Sequence, residues 1–235
     1  MASADQQPDQ PSPTPDGFIA PTERTQLKRA MGRGCFDRAT IHAILDEALV
    51  CTVSFTVDGR PFAIPMAFAR IDDALYLHGS TANRMMRTLR DGGEACITVT
   101  LLDGLVLARS AFHHSVNFRC VVLYAGAEEV TDPAEKLAAM RATVEHVVPG
   151  RWDDVRPPNR EEFVRTMILR LPIEEASAKL RSGPPIDDPE DLELTAWAGV
   201  VPIEQTTRPP VADPFLAADV SPPDYASRYR RPRTE

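Results

Sequence analysis

Residues 49–70 read L-V-C-T-V-S-F-T-V-D-G-R-P-F-A-I-P-M-A-F-A-R. The run Leu49–Val57 is rich in β-branched residues that suit a pleated strand, and Asp58-Gly59 is a strong signal for a two-residue hairpin turn. Pro61 to Arg70 answers as the second strand. Proline has no N–H to give to a ladder, so Pro65 marks a sheet edge or an opening where backbone groups meet a ligand. The first strand pair is therefore antiparallel, and it sets the reading of what surrounds it.

On the N-terminal side, Asp37 caps a helix across Arg38–Ala48 that carries Ile41, Ile44 and Leu45 on one face. On the C-terminal side, Asp72-Asp73 turns the chain into a third strand, Ala74–His78. A short helix over Asn83–Leu89 is closed by Asp91-Gly92-Gly93. Glu94–Leu102 and Asn117–Val130 are the fourth and fifth strands. Asp132-Pro133 opens an amphipathic helix to Val147, with proline at the first helical position where it is tolerated. A helix over Asn159–Arg165 leads to a sixth strand, Met167–Ala176. Strands joined by tight turns, with few helices, predict a mainly β fold with peripheral helices: a six-stranded antiparallel barrel, whose closure removes exposed edges. The order does not fit the βαβ alternation of a dinucleotide-binding fold.

Composition bounds the function. The 235 residues are 43% hydrophobic and 26% charged, enough apolar content for a packed core. With 34 acidic against 26 basic residues the net charge is -8, which makes nucleic acid a poor partner. The longest uncharged apolar stretch, Ala48–Val57, is far short of a membrane span. The N-terminus lacks the basic and apolar regions of a signal peptide, and a cytoplasmic location is expected. Residues 1–21, polar and studded with proline, read as a disordered tail. Residues 22–203 form the folded body. Residues 204–235, with Pro209, Pro210, Pro214, Pro222 and Pro223, read as an extended tail ending in a basic cluster of Arg228, Arg230, Arg231 and Arg233. Cys35, Cys51, Cys96 and Cys120 have no C-x-x-C spacing, and the last three sit in apolar runs as small hydrophobes.

Four segments carry polar residues that structure alone does not require. In His78-Gly79-Ser80-Thr81-Ala82-Asn83-Arg84-Met85-Met86-Arg87, a strand turns into a helix; Ser80 and Asn83 can cap, and Arg84 and Arg87 share a helical face. Free backbone donors, a hydroxyl and two guanidinium groups suit a phosphate, while an ordinary capped helix with solvated arginines is the plainer account. In the segment from Arg109 to Arg119, His113 and His114 point to opposite sides if extended, so a two-histidine metal centre is disfavoured and no metal is expected. Ser115, Asn117 and Arg119 alternate and share a face, a polar row that is costly unless it meets a ligand, a partner subunit or water. Pro65-Met66-Ala67 forms the opening noted above. Trp197, in Leu194–Pro202, is either a core plug or a planar wall against an aromatic ligand.

Taken together, the D-G hairpin with P-F-A-I-P-M-A-F, the Y-L-H-G-S turn and helix, R-S-A-F-H-H-S-V-N-F-R, A-K-L-R-S-G-P-P and W-A-G-V-V-P resemble the pyridoxamine 5'-phosphate oxidase-like split-barrel flavoproteins. The resemblance is to the flavin-nucleotide-binding branch, related to the nitroimidazole-resistance reductases. It implies a six-stranded split barrel that forms a homodimer with FMN in two shared clefts. By position, Pro65, Met66 and Ala67 would lie along the isoalloxazine edge, with Thr98 toward the pyrimidine. His78, Ser80 and Asn83 would border the ribityl phosphate, Arg84 and Arg87 would hold it, and Trp197 would come from the partner chain. Relatives place a lysine where Met85 stands, which leaves the phosphate to the two arginines. His113, His114, Ser115, Asn117 and Arg119 would tune the flavin or meet the substrate. The implied activity is an FMN-dependent oxidoreductase that takes electrons from NADH or NADPH to a small substrate. The alternatives are a flavin carrier without turnover, and a haem-binding relative with His113 or His114 as ligand.

Overall fold

The computed structural model describes residues 17–28, 31–217 and 219–230. The expected tail lies outside them up to Asp16, as do Arg231 and Arg233. Gly17 to Pro21 lie within, and Ile19 is packed: its side chain is buried and its N–H donates to the Phe36 carbonyl at 2.9 Å.

Among the described residues, eleven strands pair into two antiparallel sheets, accompanied by five α-helices. The larger sheet has the order β1 (Gly34–Cys35), β10 (Glu175–Arg181), β7 (Ser115–Gly126), β6 (Glu94–Leu107), β2 (Val50–Val57), β3 (Arg60–Ala67). The smaller sheet runs β4 (Ala69–Ile71), β5 (Ala74–Ser80), β9 (Thr166–Pro172), β8 (Glu128–Glu129). Their inner faces enclose one core that includes Val53, Leu75, Leu77, Ile97, Leu123 and Leu169. Helix α1 (Arg38–Glu47) seals it with Ile41, Ile44 and Leu45, and Asp37 caps it by accepting the Thr40 N–H at 2.8 Å. Helix α2 (Arg84–Arg90) adds Met85, Met86 and Leu89. Helix α3 (Pro133–Val147) covers the outer face of the smaller sheet, where Tyr76 donates to Glu135 at 2.9 Å. Helix α4 (Arg160–Arg165) precedes β9 and is held by a capping box between Asn159 and Glu162. The mainly β, antiparallel split-barrel class is as expected.

Several strands differ from the sequence reading. Asn117–Val130 divides into β7 of the larger sheet and β8 of the smaller, because the chain passes from one sheet to the other at Ala127. Pro61–Arg70 is two strands in different sheets, with fully buried Phe68 at the corner between β3 and β4. Met167–Ala176 likewise divides into β9 and the start of β10 around buried Ile173. In both places the apolar pattern runs on because both sheets face the same core. Strand β6 extends to Leu107, past a bulge between Leu102 and Gly104. One edge of β6 is shared: β2 takes Cys96–Thr98, and a strand the sequence reading lacked, β11 (Gly199–Pro202), takes Gly104–Leu107. Gly104 permits that approach, because a Cβ there would stand 3.0 Å from Val200.

The C-terminal segment runs along the surface with a single turn of helix, α5 (Asp224–Ser227). Tyr229 donates to the Val147 carbonyl at 2.8 Å and Tyr225 to Asp154 at 2.6 Å, which ties the segment to the end of α3. Among the described residues no helix is long and apolar enough to cross a membrane.

Candidate functional site

The hairpin at Asp58-Gly59, with φ of 51° and 73°, has the backbone of a primed turn, so Val57 pairs Arg60 and the register follows. Pro65 falls opposite Thr52, and Thr52 is opposite Thr98 on β6. The three make one row on the outward face of the larger sheet, with Val122 next in line. Strand β3 is the edge of its sheet, as Pro65 indicated, and Ala63, Ile64 and Pro65 are exposed on it. Met66 and Ala67 are half-buried, Met66 against the core. This is a flat strip of small side chains beside an unpaired strand edge.

The β5–α2 turn reaches β3 through Phe62, on the opposite face of the strand from Pro65. The Arg84 guanidinium lies 4.3 Å above the ring of Phe62, which stacks on Phe55 with centroids 5.4 Å apart. Asn83 caps α2 by accepting the Met86 N–H at 3.3 Å, and Ser80 accepts the Ala82 N–H at 3.2 Å. Neither Arg84 nor Arg87 forms an ion pair among the described residues, and both are exposed. Met85 points into the core, so the lysine position of the resemblance is an interior position here. Gly79 is required by close packing: a Cβ would lie 2.8 Å from Met86 Cγ. His78 is half-buried, and burial pushes its pKa below the usual histidine value, which keeps the ring neutral. Its Nδ1 is buried with no hydrogen-bond partner among the described residues, an atom without the bond that buried polar groups normally make.

The second set of candidates lies elsewhere. From Thr98 to Val106, opposite Ser115, is about 25 Å along β6 at ~3.3 Å per residue. Here His113 meets Asp188 at 3.0 Å, and that hydrogen bond holds the imidazole pKa above its usual value. His114 is exposed and contacts the Ser110 carbonyl at 3.0 Å through Nδ1. Ser115 is half-buried. Asn117 is buried and takes the hydrogen bond of Arg181 while donating to the Gly183 carbonyl at 3.1 Å. Arg119 bonds Glu47 at 2.9 Å and Asp103 at 2.8 Å, which drives its pKa up. The polar row expected to meet a ligand is thus satisfied at Asn117 and Arg119 by the chain itself. A cavity of about 970 Å³ opens beside Arg119, walled by Leu102, Gln205, Tyr229 and Arg230. Trp197 is no core plug: it is 67% exposed and folds back on Gly199, where a Cβ would come within 2.8 Å of its ring.

The sequence reading missed Thr52, Phe62, Glu47 and Asp103. Thr52 was available from the register that the two-residue turn fixes. Glu47 and Asp103 pair with Arg119 across 72 and 16 residues, a separation with no local signal. Of the cysteines, Cys51 is buried and its thiol is pushed up to about 12, while Cys35, Cys96 and Cys120 are half-buried; all four are free.

A family model described as pyridoxamine 5'-phosphate oxidase matches residues 37–180. The flavocytochrome Anf3 from Azotobacter vinelandii is 41% identical, covering 90% of this chain and 99% of that one, with a TM-score of 0.85. The FAD and heme binding protein from Mycobacterium smegmatis is 35% identical over 82% of this chain and 95% of that one, with a TM-score of 0.79. A protein from Bacteroides thetaiotaomicron VPI-5482 described as a 5-nitroimidazole antibiotic resistance protein shares the fold, at 23% identity over 62% of this chain and 85% of that one, with a TM-score of 0.53. No curated protein matches the chain.

Proposed function

Because the chain belongs to the pyridoxamine 5'-phosphate oxidase family, we propose that it is an electron-transfer protein that binds a flavin and a haem, with the flavin seated between two copies of the chain. The observation that carries this reading is the 41% identity, over 90% of the chain, to a flavocytochrome. The FAD and heme binding protein at 35% identity favours FAD over the FMN of the sequence reading.

The residues fit both groups. A flavin ring needs a flat surface and backbone donors at its edge; the row Pro65, Thr52, Thr98 and the unpaired side of β3 supply them. Its phosphate needs cations not already neutralised, which Arg84 and Arg87 are. Haem iron takes a neutral imidazole, and His78 is held neutral by burial. His113 suits this less, because Asp188 favours its protonated form. In one chain the β3–α2 half-site and the β6–β7 tip lie about 25 Å apart along β6. A second copy brings the tip, with Trp197, against the first copy's β3. The bound cofactors supply the redox chemistry, with NADH or NADPH as donor. The chain holds the flavin against β3, anchors its phosphate at α2 and fixes the haem through a neutral His78.

The test is an absorption spectrum with identification of the released chromophores. Flavin bands together with a Soret band, and a Soret band lost in His78→Ala while flavin is kept, are the expected results. A protein that takes up neither cofactor overturns the reading. An oxidised flavin that persists under anaerobic NADH and NADPH leaves binding in place and removes the nicotinamide donor.

A further inference from the structure

The segment from Ser182 to Thr207 contains no lysine or arginine, yet Asp187, Asp188, Glu190, Asp191 and Glu193 crowd its centre. Asp187 is neutralised within the fold. Its side chain is 2% exposed, accepts the Arg109 N–H at 2.9 Å and pairs with the Arg109 guanidinium at 2.9 Å. That peg fixes the acidic segment against the loop that carries His113. The neighbouring carboxylates have no such cation. Asp188 and Asp191 instead face His113, and one ligand atom from each of the three lies within 4.8 Å of the others. His113 Nε2 and Asp188 Oδ2 are 3.0 Å apart.

We infer that His113, Asp188 and Asp191 bind one borderline divalent cation of the Zn²⁺ class, which ties the 110–114 loop to the segment leading to Trp197. Zinc takes imidazole nitrogen and carboxylate oxygen at about 2.0–2.2 Å, with three protein ligands and an open fourth position in its non-structural sites. Ligand atoms on such an ion stand about 3.3 Å apart; His113 and Asp188 are already at 3.0 Å, all three lie within 4.8 Å, and the exposed carboxylate of Asp188 can make up the rest. The imidazole argues against magnesium and calcium, which prefer oxygen donors alone. On binding, the proton that His113 shares with Asp188 leaves to solvent and the metal takes its place. The ligands come from two segments 75 residues apart, so no local spacing announces them. The inference does not rest on the flavin and haem reading, although the loop it ties belongs to the tip that this reading brings to the partner copy's β3.

The test is calorimetric titration of the full, untagged, metal-free chain with ZnCl₂, repeated with MgCl₂. One zinc per chain is expected, with at least tenfold weaker binding in His113→Ala, Asp188→Asn and Asp191→Asn, and no saturable binding of magnesium. A rise in thermal midpoint with zinc should accompany it in the parent and vanish in the variants. Zinc affinity unchanged in His113→Ala and Asp188→Asn would place the ion elsewhere and overturn the inference. So would the absence of saturable binding, or equal binding of magnesium. Asp188→Asn keeps the shape of the side chain and guards against a variant that fails by misfolding.

Discussion

The guanidinium of Arg119 is gripped by Glu47 and Asp103, whereas that of Arg84 rests on a phenyl ring with no ion pair among the described residues. In sequence the two look alike, each an arginine among small and apolar neighbours. Their surroundings separate them. Arg119 neutralises the nearly buried Glu47 at the end of α1 and so belongs to the fold. Arg84 keeps an unneutralised charge over the Phe62 ring of β3 and is available to an anion. A charge whose partners lie inside the chain holds structure together, and one without them is a candidate for binding.

The contrast can be broken most forcefully at Arg119. Arg119→Ala removes the guanidinium that pairs with Glu47, 5% exposed, and a loss of about 3 kcal/mol in urea unfolding is expected. A change under ~0.5 kcal/mol would mean that the pair is no more than a surface contact. The same substitution at Arg84 and Arg87 together should shift stability by less than ~0.5 kcal/mol, while FAD and FMN are held at least tenfold more weakly and riboflavin, which lacks phosphate, is little affected. Equal weakening of all three would remove the phosphate assignment. Trp197→Ala sharpens the comparison from the other end of β6. For a residue 67% exposed, the loss of stability should stay below ~1 kcal/mol, against the ~3–5 kcal/mol of a core tryptophan. Flavin retention should nevertheless fall, and unchanged retention would exclude a role as a wall of the cleft.

The smallest expected effect depends on pH. Burial holds the His78 pKa below 6.5, and His42 is displaced in the same direction, also chiefly by burial. As pH falls below 6.5, the unfolded chain takes up protons before the folded one, so stability is full above 6.5 and drops below it. Urea midpoints at pH 7.5 and 5.5 should show this drop, and it should shrink in His78→Gln. An identical drop in that variant would assign the effect elsewhere.

Much of the fold was legible in the sequence because its signals are local. The Asp58-Gly59 turn, the Asp37 and Asn159 caps and the buried face of α1 depend on neighbours within four residues. The split of Pro61–Arg70 into two strands was not legible, since alternation continues when a strand turns a corner between sheets that share a core. Strand β11 was missed because four residues are too few to show a period. For the candidate site, the chain was informative about Pro65, which only an edge accommodates, and about the β5–α2 turn. It was silent on the engagement of Asn117 and Arg119, whose partners are distant in sequence.

The prolines of β3 have a consequence for colloidal behaviour. From the Val57–Arg60 pair, residues 61, 63, 65 and 67 direct their backbone groups away from β2, and two of these four are proline. An incoming strand from another molecule would find donors at Ala63 and Ala67 alone, too sparse a ladder for a continuous β-sheet to grow. The barrel can therefore keep this flank open to a ligand with little tendency to polymerise through it.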